Sequence, residues 1–300
     1  MNARHVVILG GTGFVGRHLA ERLLEDGARV VVPSRGGGRP ERPGLPTGAE
    51  LRRGDVYDPG FLADAFAGAD AVVNLTGVLN ERGDDGSGFE RVFVTLAARM
   101  VEAMRAAGVR RLLQMSALHA APDAPSHYLQ ARGRAEALVR DSGLDWTLFR
   151  PSVIAGPGDG LFCRFAGLLR FAPVLPIGRA DACFQPVWVE DVAEAFARAL
   201  GQAGTIGRSY DLVGPERYTL RRIVEMTAEA CGRNRLVLAL PDWLGRLQAE
   251  VGELLPGKPI SRDNWRSLQL DSTSDDNGLP RLGIEPTAVA PRLPEILGLA

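Results

Sequence analysis

Tyr128 and Arg132 stand four residues apart in SHYLQARGRAE, residues 126–136. On a helix that spacing puts both side chains on one face, a phenol beside a permanent cation. A unit charge about 4 Å from a phenolate contributes about 4 kcal/mol at an effective dielectric of about 20, enough to ready the phenol for proton transfer. Arginine supplies that charge as well as lysine does. It cannot relay a proton, however, and its planar fork grips hydroxyls differently from an ammonium. Ser116 closes the apolar run RRLLQMS at 110–116, where a serine either satisfies the strand end or faces a site. His119 and His127 lie nearby and read more simply as turn or surface histidines than as proton carriers.

A second group could hold a diphosphate. GGTGFVG at 10–16 follows an apolar run and opens a helical pattern. Gly11, Gly13 and Gly16 fit G-x-G-x-x-G, and Gly10, Gly13 and Gly16 fit G-x-x-G-x-x-G. Glycine lets the backbone turn tightly and approach a pyrophosphate, while the helix N-terminus offers free N–H donors. A nucleotide-triphosphatase loop would need Lys and Ser or Thr after the second glycine, and Arg17 and His18 stand there instead. The second apolar run ends in Ser34-Arg35, with no carboxylate until Glu41. NAD would call for an acidic side chain there. A hydroxyl plus a guanidinium suits a 2′-phosphate, so NADP(H) is expected over NAD(H). Arg39 could assist from the glycine-rich loop, while the cluster Arg35, Arg39 and Arg42 also reads as a solvated surface.

These residues need a scaffold. Three hundred residues, 45% of them hydrophobic, suffice for a large core. A formal charge of −1 gives no reason to expect nucleic acid. Cys163, Cys183 and Cys231 fit neither a disulfide framework nor a zinc set, and no histidine or cysteine spacing indicates a metal. No stretch approaches the length of a membrane span and the N-terminal apolar run is short for a signal peptide. A cytoplasmic protein is therefore expected, with peripheral contact to the inner face of a membrane as an alternative. G-x-S-x-G is absent, which leaves a nucleophilic hydrolase unsupported.

Unalternated β-rich runs at 5–9, 29–34, 70–75 and 110–116, with weaker ones at 49–53 and 145–150, suit strands covered on both faces. Helical stripes fall between them. One holds Phe14, Val15, Leu19, Leu23 and Leu24; another holds Val94, Ala97, Ala98, Val101 and Met104 within 90–107; a third covers 127–142. The alternation predicts an α/β doubly wound parallel sheet, a Rossmann domain over residues 1–155 that also receives elements from about 180–215. Residues 156–300 form a smaller C-terminal substrate-side lobe, with helical patterns at 190–200, 219–231 and 242–255 and a short extended run at 236–240. The stretch 242–255 puts Trp243, Leu244, Leu247, Val251, Leu254 and Leu255 on one broad face, for packing against the sheet or for contact with a membrane or partner subunit.

Taken together, GGTGFVG, GDVYD at 54–58, NLTG at 74–77, MSA at 115–117, YLQAR, RPSVIAGPGD at 150–159 and QPVWVEDVAEA at 185–195 resemble the extended and atypical short-chain dehydrogenase/reductases. YDLVGPERYTLRRIVEMTAEACGR and LPDWLGRLQAEVGELLPGKPISRDN are similar to bacterial relatives of the nicotinamide-binding accessory subunit of respiratory complex I. The resemblance implies that Gly10, Thr12, Gly13, Phe14, Val15 and Gly16 bind the diphosphate and that Asp55 and Val56 flank the adenine. Leu75, Thr76 and Gly77 would pass beneath the coenzyme, with Met115 at the next strand end. Pro151, Ser152, Val153 and Ile154 would run beside the nicotinamide. Ser116 would polarise a substrate oxygen, Tyr128 would exchange its proton, and position 132 would hold the nicotinamide ribose.

Two positions depart from that pattern. Arg132 stands where the family has lysine, and Phe93 stands where many active members have asparagine. The resemblance implies an oxidoreductase or an epimerase/dehydratase-type enzyme acting on a small molecule by hydride transfer. The alternative is a non-catalytic coenzyme-binding accessory or sensing subunit, associated with a membrane complex such as respiratory complex I.

Overall fold

The computed structural model describes residues 5–35, 44–255, 258 and 260–299, so Arg39 and Arg42 lie outside the described residues. The strands in chain order are β1 (His5–Leu9), β2 (Arg29–Ser34), β3 (Glu50–Arg53), β4 (Ala71–Asn74), β5 (Arg111–Met115), β6 (Asp145–Pro151), β7 (Ile154–Ala155), β8 (Val174–Gly178), β9 (Cys183–Phe184), β10 (Val187–Trp188), β11 (Arg208–Leu212), β12 (Tyr218–Thr219) and β13 (Leu236–Leu240). Seven of them make one sheet in the order β11-β6-β5-β4-β1-β2-β3. Every pairing in that sheet is parallel. This is the doubly wound Rossmann arrangement expected from the apolar runs.

The runs lack alternation because both faces of the sheet are covered. From β1, Val6 and Ile8 enter one core with Leu19, Val30, Val32, Val192 and Phe196. Val7 and Leu9 enter the opposite core with Leu62, Phe66, Met100, Leu112 and Val139. The first layer is supplied by α1 (Phe14–Glu25) and α7 (Val189–Gly201). The second is supplied by α2 (Pro59–Phe66), α4 (Leu96–Ala106) and α5 (His127–Arg140).

The helical pattern at 90–107 is not one regular helix. A short turn, α3 (Ser87–Phe89), runs into a π-helical segment, Glu90–Thr95, before α4 begins. The wider π turn rotates the buried face. Phe89 and Phe93 become fully buried, whereas Val94 and Ala98, expected on the inner stripe, are only half-buried.

Beyond the sheet lie α6 (Phe162–Leu169), α8 (Leu220–Ala230), α9 (Asp242–Leu254), α10 (Arg262–Ser267), α11 (Gly278–Arg281) and α12 (Leu293–Ile296). Three short strand pairs accompany them: β7 with β10, β9 with β12, and β8 with β13. Two satellite cores fill this region, one around Phe162, Trp188, Ile223 and Leu293, the other around Leu169, Ile177, Val224 and Val237. Helix α9 buries only Gly245, Ala249 and Gly252. A Cβ on Gly245 would lie 2.6 Å from the Trp265 ring, so small residues let the helix sit close on its inner side. Trp243, Leu247, Val251, Leu254 and Leu255 on its outer side do not pack against the sheet; they are exposed. Among the described residues, no helix is long and apolar enough to cross a membrane.

Candidate functional site

The order in which strands are added reverses between β1 and β4, which opens a crevice at their carboxyl ends. The glycine turn fills that end of β1. Gly10 has φ +80°, and a Cβ there would meet the Leu75 carbonyl carbon at 2.8 Å and the Thr76 nitrogen at 2.9 Å. A Cβ on Gly16 would lie 2.4 Å from the Gly10 oxygen. Glycine is therefore required twice, for the turn and for the approach of α1 to it. Gly13 caps α1 without a side-chain hydrogen bond, and no acidic residue lies in the first turn. The Gly13 N–H closes the turn by donating to the Gly10 carbonyl at 2.9 Å, and the N–H groups of Phe14 and Val15 at the helix start are left without a carboxylate to compete with a diphosphate. Thr12 completes the turn, and its carbonyl accepts from Arg17.

The neighbouring floor is set by Asn74. Its side-chain oxygen accepts from the Thr76 amide at 3.1 Å and the Thr76 hydroxyl at 2.6 Å, while its amide donates to Gln114 at 2.9 Å. Sequence reasoning named Leu75, Thr76 and Gly77 but missed Asn74 and Gln114, whose buried polar side chains hold that segment. At the outer end of the crevice, the Gly54 amide donates to the Ser34 carbonyl at 3.0 Å. This bond sets Ser34 and exposed Arg35 beside Asp55 and Val56. The Asp55 carboxylate also accepts from the Tyr57 amide at 3.1 Å.

At the opposite end, Arg132 is 5% exposed. Its guanidinium donates to the Met115 carbonyl at 2.8 Å and lies 3.2 Å from the place a Cβ would take on Gly77. It stacks on Phe93 at 3.9 Å from the ring centroid and lies 5.5 Å from the Tyr128 ring. The two positions that depart from the family pattern therefore touch each other. A flat guanidinium suits an aromatic face as an ammonium on a long stem would not. The Tyr128 ring meets Phe89 and Phe93 edge-on at 5.7 and 5.5 Å. Arg132 Nε and the hydroxyl of Ser116, itself 3% exposed, are buried without a protein partner. Unmatched buried polar atoms at the mouth of a glycine-lined crevice fit a polar ligand such as a coenzyme ribose and a substrate oxygen.

Tyr128 is held from far along the chain. Ser126 caps α5 through Leu129, and Asp263 of α10 accepts from the amides of His127 at 2.7 Å and Tyr128 at 3.1 Å. A carboxylate at this end of the helix also meets its positive dipole. Arg266 binds Asp84 through two bonds, at 2.6 and 2.7 Å, and reaches Asp263 at 3.5 Å. The Arg266 contact holds the Asp84 carboxyl below the usual range. Asp84, His127 and Asp263 come within metal-binding distance of one another, which their sequence spacing did not indicate. Their carboxylate oxygens are engaged by Arg266 and by the helix amides, so the cluster is a clamp on α5.

Pro151 to Ile154 leave β6 toward the C-terminal region. The Ser152 hydroxyl donates to the Ser272 carbonyl at 2.6 Å and Ile154 pairs with Val187, so both are committed to that region's packing. His119 is exposed with φ 59°, a turn residue.

A family model described as NAD(P)H-binding matches residues 10–162. A ceramide reductase from Caulobacter vibrioides is 33% identical over 275 residues, covering 89% of this chain and 80% of that protein. The chain belongs to the extended short-chain dehydrogenase/reductase family. Another relative in this NAD(P)-binding, epimerase-like family is the mitochondrial NADH dehydrogenase [ubiquinone] 1 alpha subcomplex subunit 9 of Arabidopsis thaliana. It is 28% identical over 289 residues, covering 91% of this chain and 71% of that subunit. The fold is shared with an NADPH-dependent quinone oxidoreductase from Escherichia coli solved with NADPH, with a TM-score of 0.75 at 20% identity over 96% of this chain and 98% of that one.

Proposed function

We propose that the protein is an NADP(H)-dependent oxidoreductase acting on a carbonyl or alcohol of a small molecule. The observation that carries this reading is that Arg132 lies between Tyr128, the Met115–Ser116 strand end and Gly77, with its Nε and the Ser116 hydroxyl buried and unpartnered. NADPH, when bound, supplies hydride from C4 of its nicotinamide. Ser116 holds the substrate oxygen with its otherwise unpartnered hydroxyl. Tyr128 gives that oxygen its proton in reduction and takes it back in oxidation. Arg132 would hold the nicotinamide ribose and keeps positive charge 5.5 Å from the Tyr128 ring. Residues 1–155, with the strand at 208–212, hold the coenzyme in this reading, and the C-terminal region forms the substrate side.

Ser34 and Arg35 support the preference for NADP(H), because a guanidinium forms charge-assisted bonds to a 2′-phosphate. Arg35→Ala is expected to weaken NADPH binding by about 10- to 100-fold, the scale of one charge-assisted hydrogen bond, and to leave NADH binding unchanged. Titration calorimetry with both coenzymes reads the difference. Equal losses for both would remove the 2′-phosphate assignment.

One observation favours a second reading, a coenzyme-binding subunit without turnover. The Arg132 guanidinium is committed to Phe93 and to the Met115 carbonyl, as suits a chain whose relatives include subunits of mitochondrial NADH-ubiquinone oxidoreductase. Bound coenzyme would then stabilise the fold by mass action. Nicotinamide absorbance during incubation with carbonyl substrates separates the two. Turnover by the wild type sinks the second reading. Absence of turnover in both the wild type and the Phe93→Asn/Arg132→Lys double variant sinks the first.

A further inference from the structure

Helix α9 and the β8–β13 pair form an apolar outer face that nothing among the described residues covers. On α9, Trp243 is 68% exposed and Leu254 is 85% exposed, with Leu247 and Val251 between them. Gln248 fixes this helix along the free edge of β8, donating to the Pro176 carbonyl at 2.8 Å and accepting from the Gly178 amide at 3.1 Å. On the strand pair, Val174, Leu236 and Leu238 point outward while Ile177 and Val237 point into the core. Phe171, 81% exposed, stands at the end of α6 just before β8.

The charge around this face is mostly positive; on α9 the exposed Glu250 is offset by the exposed Arg246. Residues 160–180 and 231–241 include Arg164, Arg170, Arg179, Arg233 and Arg235 and no aspartate or glutamate. Arg233 and Arg235 donate to the carbonyls of Leu169 and Arg170, and Arg170 lies against the Phe171 ring, contacts that leave their charge uncancelled. On α9 itself, Asp242 lies 3.6 Å from Arg179 and Glu253 pairs with Lys258. An apolar surface edged by arginines, with an aromatic at its border, matches the boundary between anionic headgroups and acyl chains.

We propose that this face seats the protein on an anionic bilayer. Trp243, Leu254 and Phe171 enter the acyl boundary, and the arginines meet the phosphates. The proposal does not rest on the oxidoreductase reading, and coenzyme binding stays separate from it. The test is sedimentation of the full chain with vesicles of phosphatidylcholine alone and of phosphatidylcholine mixed with phosphatidylglycerol, together with tryptophan emission. Trp188 and Trp265 are buried and Trp146 is half-buried, so the part of a blue shift that Trp243→Phe removes reports on Trp243. The expected result is binding to the mixed vesicles with a blue shift, weakened by salt and reduced about tenfold by Trp243→Glu. Phe171→Glu is expected to act in the same direction with NADPH affinity unchanged, which guards against misfolding of one variant. Absence of vesicle binding would overturn the proposal, as would binding indifferent to phosphatidylglycerol. Self-association abolished by Trp243→Glu, without vesicle binding, would assign the face to a second copy instead.

Discussion

Tyr128→Phe is expected to lower kcat about 100- to 10,000-fold, the usual contribution of a positioned general acid or base. The change removes one oxygen and keeps the ring, so the edge-on contacts with Phe89 and Phe93 persist. NADPH affinity should be retained, because Arg132 keeps its bond to Met115 and its stack on Phe93. Stopped-flow absorbance of the nicotinamide with a substrate that the wild type turns over measures the effect. A variant with the wild-type rate would show that another group moves the proton.

The second large effect concerns stability. Asp263 is 3% exposed and its carboxylate serves two backbone amides at the start of α5 and the Arg266 guanidinium. Asp263→Ala leaves the two part-buried amides without their acceptor while Arg266 keeps its two bonds to Asp84, and unfolding free energy is expected to fall by about 2–4 kcal/mol. Urea denaturation followed by circular dichroism reads the midpoint. Asp263→Asn keeps one acceptor oxygen and should lose less. If Asp263→Ala unfolds at the wild-type midpoint, the clamp contributes nothing to the fold.

The contrast between these two residues shows what was legible in the sequence. Tyr128 and Arg132 announce themselves by spacing, because helical periodicity is local. The glycines at 10, 13 and 16 do so too, because the turn they permit is local as well. Strand positions were legible for a related reason: Val6, Val7, Ile8 and Leu9 are all buried, and a run without alternation is how a sheet covered on both sides reads. Asp263 carried no such signal, since it meets α5 from 135 residues beyond Tyr128. The face of α9 was visible as a stripe, but its direction was not. The small residues Gly245, Ala249 and Gly252 mark the inner side, and periodicity weighted toward large apolar residues passes over them. Phe93 and Arg132 were each legible as departures. Their contact was not, because it depends on a π turn that no simple period predicts.

The clamp at the start of α5 also imposes an order of assembly. Synthesis proceeds from the amino end, so Tyr128 leaves the ribosome well before the carboxylate that ties down its backbone. A nascent chain can close the glycine turn against the end of β4 while its reactive corner still lacks this anchor. Under the proposed function, coenzyme capture can thus precede completion of the acid–base centre, and a chain interrupted before α10 is expected to keep the glycine turn without a firmly set phenol.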